Sequence, residues 1–490
     1  MLQEAAVCKR CIHQQSNTKP ARDSPFLQAF RKPGHYRITP TPRHSSSAAS
    51  PSNASSSPLG ALSQSVQQPA SQQAKSSSSS FPKTSSKSVA YWLLGSAASV
   101  FGIVVFGGLT RLTESGLSIT EWRPVTGSLP PMNQEHWEYE YTRYKLSPEF
   151  KMLNSHMNLE DFKQIYWMEW GHRLWGRVVG ITFLLPTIYF VARRKVSKPM
   201  AWRLAGICSL IGMQGVIGWW MVKSGLKDEL LETGNQPRVS QYRLATHLGT
   251  AFIAYTYMLW NGLAILRQHR LLANPEQGLK ALEVLQSPAL RSFRRLTAAL
   301  SALVFTTAMS GALVAGLDAG MIYNDFPWMG QGILPPKREM LDPFYSHVPD
   351  QSDLWWRNML ENPVLVQLDH RILATTTFTA IIALWAYSRF SPRVRAVLPK
   401  DAQKGILGVV HLVSLQVIMG ITTLWYLVPT PLAAAHQAGA LALLSGVFLL
   451  GSRVWIPTRT LQLVKQAAAR NSSNIGKRGP DAMLAARLGK

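Results

Sequence analysis

Cysteine is nearly missing from this sequence: there are three in 490 residues, Cys8 and Cys11 near the start and Cys208 within an apolar run. No disulfide framework can be built from them, and Cys8-x-x-Cys11 has no second pair nearby to complete a zinc site. Acidic residues are also scarce, with 26 Asp and Glu against 51 Lys and Arg, a net charge of +25. Nucleic acid would be one explanation of that excess. The first 87 residues lack any apolar run long enough for a core; they are rich in Ser, Gln and Pro and hold 11 Lys and Arg against only Glu4 and Asp23. A secretory signal needs a compact apolar stretch behind its basic start, whereas an Arg- and Ser-rich, acid-poor leader fits a mitochondrial transit peptide. Residues 1–87 are therefore read as a disordered leader and set apart from the fold.

From Val89 onward the composition changes. Apolar runs of about twenty residues recur, the length needed to cross a bilayer core of roughly 30 Å as helix. Eight are expected, near 89–110, 174–192, 204–222, 245–266, 296–317, 364–387, 405–428 and 433–451. Alternating the connections between two sides puts 191–203, 267–295, 388–404 and 452–490 together, with 24 Lys and Arg against 4 Asp and Glu. The opposite connections, 111–168, 223–244, 318–363 and 429–432, carry 13 Lys and Arg against 18 Asp and Glu. The basic side is the cytoplasm-like side, in a mitochondrion the matrix, so the charge excess needs no nucleic acid. Both ends of the mature chain then face the matrix, in a multi-pass protein of the mitochondrial inner membrane. The two long outer connections hold Trp122, Trp137, Trp328, Trp355 and Trp356, a composition suited to short amphipathic pieces at the interface.

The spans repeat. Gly107-Gly-Leu-Thr-Arg-Leu-Thr-Glu114-Ser-Gly116 is echoed by Gly311-Ala-Leu-Val-Ala-Gly-Leu-Asp318-Ala-Gly320, and each is followed by a Pro-Pro pair, Pro130-Pro131 and Pro335-Pro336. His172-Arg173 then matches His370-Arg371, Gln214-x-x-x-Gly218 matches Gln416-x-x-x-Gly420, and Ala245-Thr-His247 matches Ala434-Ala-His436. Echoes in register argue for duplication. Because four is even, the halves enter the membrane in the same direction, a parallel repeat. The expected fold is an all-α integral membrane protein, eight transmembrane helices forming two tandem pseudo-symmetric four-helix bundles. The expected organisation is a leader (1–87), an N-terminal half (88–270), a matrix linker (271–295), a C-terminal half (296–455) and a basic matrix tail (456–490).

Five charged residues fall within or beside the spans: Glu169, Arg173, Arg177, Asp369 and Arg371. All flank His172 or His370, and ionisable groups at membrane depth usually mark a site. His172, His247, His370 and His436 occupy matching places at the outer ends of the second, fourth, sixth and eighth spans. Neutral imidazole is a good heme ligand, and two histidines on facing helices supply both axial positions. Two pairs suggest two porphyrins, toward the intermembrane space. Small residues one turn away leave room for a flat macrocycle: Gly176 and Gly180, Thr250 and Ala251, Ala374, Gly439 and Ala440. For one histidine, a core residue bonding across helices is the simpler account, since tight membrane packing also favours small residues. Four in a repeated pattern favour ligands. His411, His136, His156 and His347 have no such pattern and read as structural. The halves differ at one place: Glu169 stands three residues before His172, and Gln367 stands three before His370. A carboxylate there could shuttle protons or stabilise developing positive charge; a salt bridge to Arg173 or Arg177 is the equal alternative. Arg173 and Arg371 could pair with heme propionates or anchor the helix ends.

At Glu169-Trp-Gly-His172-Arg173, Ala245-Thr-His247, Asp369-His370-Arg371 and Ala434-Ala-His436, and in the run at 107–118, the chain resembles the heme A synthase family in its mitochondrial form. The likeness covers about residues 90–455. It implies oxidation of a methyl group of heme O to the formyl group of heme A, the form used by cytochrome c oxidase. By motif, His172 and His247 would bracket the substrate heme with Glu169 as the catalytic group, and His370 and His436 would ligate a resident heme b. A ferredoxin system is the implied electron-transfer partner, with heme O synthase and cytochrome c oxidase assembly factors as neighbours and a homo-oligomer left open. Some bacterial members carry a cysteine pair in an outer loop; residues 111–168 have none. Four symmetric histidines alone fit a diheme b-type electron carrier equally well, and a heme-handing assembly factor is a third reading.

Overall fold

The computed structural model describes residues 81–229 and 237–477. Residues 1–80 of the expected leader and 478–490 of the expected tail lie outside the described residues. Eight long helices follow one another: α1 (Lys87–Leu112), α2 (Leu159–Ala192), α3 (Lys198–Gly225), α4 (Gln241–Ala273), α5 (Ala289–Gly316), α6 (Pro363–Phe390), α7 (Lys400–Trp425) and α8 (Thr430–Val454). An amphipathic α9 (Thr458–Lys477) ends the described chain. Among the described residues there is no strand, only an isolated bridge between Met329 and Gly332.

Six of the long helices are long and apolar enough to cross a membrane by length and composition. The other two, α4 and α6, are as long but diluted by polar side chains, among them Thr246, His247, Thr250 and Asn261 on α4 and Asp369, His370, Arg371 and Thr375 on α6. The large apolar side chains are not all inside. Ile181, Leu185 and Ile188 of α2, Trp202 of α3 and Ile418 of α7 are exposed, as they are when the solvent is hydrocarbon.

The second span starts earlier than hydropathy suggests. An apolar run marks it only from 174, yet α2 begins at Leu159, where Asn158 and Asp161 form a capping box. His172 is therefore well inside a helix rather than at its start. The added turns are too polar for lipid, and the first outer connection covers them instead. Its helix Gln134–Lys145 and short turn Pro148–Met152 bring Tyr144 against Phe162 and Tyr166 of α2 in a small aromatic core.

α1, α2, α3 and α4 pack each on the next, and α4 returns to α1; α5, α6, α7 and α8 close in the same order. The two sets meet through α1, α4, α5 and α8, which bury Leu93, Phe252, Met258, Val304, Leu441 and Leu444 together. Polar bonds cross the seam. Gln437 of α8 donates to the Val104 carbonyl of α1 at 2.9 Å, and Tyr255 of α4 shares a 2.7 Å hydrogen bond with Ser445 of α8. At the outer end Arg111 pairs with Asp318 at 2.7 Å. Glu114 and Asp318, matched in the repeat, both adopt left-handed backbone (φ 51° and 52°) as they end α1 and α5. On the basic side the expected linker is largely helical: Pro275–Leu285 packs its apolar face, with Leu282 and Leu285, against α9.

Candidate active site

A continuous cavity of about 1970 Å³ runs between the helices, and His172, His247, His370 and His436 all line it. Pockets for one drug-sized ligand span roughly 300–1,000 Å³, so this space suits two large ligands better than one. Its walls are mostly apolar.

The repeated motifs turn out to be the supports of these four rings. A methyl group built on Gly107 would lie 2.7 Å from Cε1 of His172, on Gly311 3.1 Å from that of His370, on Gly218 3.3 Å from that of His247, and on Gly420 2.9 Å from that of His436. Each glycine leaves the space that one imidazole fills. The glutamine of each Gln-x-x-x-Gly motif holds the neighbouring helix: Gln214 donates to the His247 carbonyl at 3.2 Å, and Gln416 to the His436 carbonyl at 2.8 Å. One motif thus fixes both the backbone and the ring of a histidine on the next helix. Gly107→Ala should displace His172 and cost about a hundredfold in turnover, the scale of a one-ångström misplacement. The methyl at Gly218 has more room, so Gly218→Ala should cost less; steady-state conversion of the two variants side by side checks the order.

The two pairs differ in what surrounds them. In the C-terminal set the rings of His370 and His436 lie 6.5 Å apart at 89°. Two imidazoles on opposite sides of one metal, each about 2 Å from it, bring their centres to about that spacing. Ser310 gives its proton to the Thr307 carbonyl (2.7 Å), so its oxygen, 2.8 Å from Nδ1 of His370, accepts from the ring. That fixes the tautomer and leaves Nε2 with the lone pair a metal needs. The matching position in the N-terminal set is Phe106, which stacks on His172 with ring centres 6.4 Å apart. Nδ1 of His172, His247 and His436 is buried without a hydrogen-bond partner. The donors, the ring spacing and the cavity fit iron porphyrins.

Glu169 is buried beside this first pair and accepts three hydrogen bonds: from the Ser118 hydroxyl and the Ile119 amide, each at 2.7 Å, and from Arg173 at 2.6 Å. The salt bridge to Arg173 is real; Arg177 instead donates to the carbonyls of Arg123 and Pro124. Gln367, at the same place in the other half, is as buried and binds the matching loop position, donating to the Tyr323 carbonyl at 2.9 Å. Arg173 and Arg371 also correspond: the first holds the carbonyls of Ile119 and Glu121, the second those of Tyr323 and Trp328. Both guanidinium groups tie an outer loop to its helix and line the cavity at once.

Residues 90–448 match the model of the COX15-CtaA family, described as cytochrome oxidase assembly protein. The chain belongs to the COX15-CtaA family. Among relatives in that family, heme A synthase COX15 of Saccharomyces cerevisiae is 52% identical over 380 residues, covering 77% of this chain and 78% of the relative. The human heme A synthase COX15 is 44% identical over 368 residues, covering 75% of this chain and 83% of the relative. A Schizosaccharomyces pombe protein named heme A synthase-mitochondrial ferredoxin fusion protein is 50% identical over 376 residues, covering 76% of this chain and 61% of its own length. The COX15-CtaA match takes in both histidine pairs and Glu169. Some residues at the site had no signal in sequence. Ser310 has no counterpart in the first half, Gln437 follows His436 where Leu248 follows His247, and Glu149 sits in a polar connection.

Proposed function

We propose that His172 and His247 bracket heme O in the N-terminal half and that His370 and His436 hold a resident heme b in the other. The reaction is the oxidation of a methyl group of heme O to the formyl group of heme A, used by cytochrome c oxidase. The observation that carries the assignment of halves is Glu169: a buried carboxylate beside the first pair, replaced by a neutral amide beside the second. Developing positive charge on a substrate is stabilised by a fixed anion that cannot relax away, and three donors hold Glu169 in place. The Ser310 bond to His370 supports a permanent ligand set there, while Phe106 gives His172 an apolar neighbour suited to a porphyrin that enters and leaves. Heme b, when bound, supplies electron transfer; the protein's own groups orient the rings, exclude water and carry charge.

In this reading all eight long helices span the inner membrane as two tandem four-helix bundles, 88–270 and 296–455, joined by a matrix linker at 271–295. The leader (1–87) directs import, the tail (456–490) is matrix-side, both mature termini face the matrix, and the heme sites lie toward the intermembrane space. Arg173 and Arg371 reach heme propionates from the loops they hold. The fission-yeast fusion supports a ferredoxin system as electron partner. A diheme electron carrier and a heme-handing factor are the rival readings, and relatives named heme A synthase do not favour them. Extraction of the pigments from purified protein, identified by mass, tests the choice. Heme O or a hydroxylated heme beside heme b is expected; two equivalents of heme b would instead mark the carrier.

A further inference from the structure

Of the carboxyls that line the cavity, Glu149 is the one that is buried besides Glu169. Glu149 sits in the short turn Pro148–Met152 of the first outer connection, only 4% exposed, and lines the same cavity as Glu169 and His172. Its Oε2 is buried and has no hydrogen-bond partner. A buried carboxylate oxygen without a partner is costly, and protonation removes the charge that makes it so. The charged and titratable groups that act on it come from three elements: Tyr144 on the helix beside it, Arg111 and Glu114 at the end of α1, and Glu169 on α2. Tyr144 already accepts from Asn154 at 2.8 Å, so its own proton is available to Glu149. Burial, with the like charges of Glu169 and Glu114, outweighs Tyr144 and Arg111 and pushes the Glu149 carboxyl up to about 8.

We propose that Glu149 is the proton donor of the N-terminal pocket, a neutral acid that works opposite the hydrogen-bonded carboxylate of Glu169. A buried carboxyl that its surroundings keep neutral can serve as a general acid. The Oε2 proton passes to a basic atom of the bound ligand, and the charge left on the carboxyl is met by the Tyr144 hydroxyl and Arg111. Water at the outer face then returns a proton, since the next residues, Lys151 to Leu153, are exposed.

The inference rests on heme O being oxidised in this half. Full-length protein purified in detergent, with heme O supplied, is compared with Glu149→Gln and Glu149→Asp. Expected are an unchanged heme spectrum in both variants, conversion slowed at least tenfold in Glu149→Gln, and partial recovery in Glu149→Asp. The wild-type rate should fall as pH rises through about 8, a limb that the residual rate of Glu149→Gln lacks. Wild-type rate and the same limb in Glu149→Gln overturn the proposal. Should that variant fail to fold, infrared spectra of the wild type decide. A protonated-acid carbonyl band that shifts in deuterium oxide and vanishes through the same pH range sustains it, and absence of the band overturns it. A wild-type chain that shows the band but converts no heme O overturns the reading of the pocket, and the donor role with it.

Discussion

Replacing Glu169 by Gln is expected to leave the heme content and absorption spectrum of the protein nearly unchanged while lowering conversion of heme O roughly a hundredfold or more, the range for a positioned acid–base or charge-stabilising group. The fold should tolerate the change because it already does so once. Gln367 occupies the matching place on α6, equally buried, and keeps its bond to the outer loop. A glutamine at 169 can still accept from Ser118 and Ile119 through its one oxygen, but its NH2 group then faces the Arg173 guanidinium and that bond is lost. What disappears is a fixed negative charge beside His172, not a packing volume. Heme A produced by the variant at normal yield would sink the role assigned to Glu169.

The second large effect separates the two histidine pairs. His436→Ala should strip the resident heme from purified protein, whereas His172→Ala should keep that heme and fail to bind or convert added heme O. A ligand present at a hundred times its Kd stabilises the folded state by about 2.7 kcal/mol, so the melting temperature should drop for His436→Ala and change little for His172→Ala when no heme O is added. The Ser310 bond, which holds the His370 ring in one tautomer opposite His436, is the reason to expect the asymmetry. Heme-to-protein stoichiometry with pigment identification measures it. Equal loss of the same pigment from both variants would refute the division of labour.

These outcomes bear on why a duplicated unit keeps both copies. The supports of the rings are common to both halves: a glycine under each imidazole, and a glutamine on the carbonyl of the second histidine of each half. Among the differences are groups that touch the rings or their neighbours, Phe106 against Ser310 and Glu169 against Gln367. Shared packing sets the four histidines around one cavity, and in the proposed reading these substitutions give each pair its own role.

Sequence by itself determined what depends on neighbouring residues along the chain. Apolar runs of bilayer length, the charge difference between alternate connections, the register of the repeat, the four histidines and the Glu169/Gln367 asymmetry are all local patterns. Hydropathy was silent about the first turns of α2, because their polar faces are covered by Tyr144 and its aromatic neighbours rather than by lipid. It also could not say that Glu169 would take Arg173 and leave Arg177 to loop carbonyls, since the carbonyls that hold Arg177 come from residues some fifty positions away. Tertiary structure alone decided that Gly107, Gly218, Gly311 and Gly420 face histidines on other helices, that the sets join through α1, α4, α5 and α8, and that Glu149 is buried. A carboxyl in a polar connection reads as solvated until the chain folds it inward; burial belongs to the whole packing, and no periodicity near Glu149 encodes it.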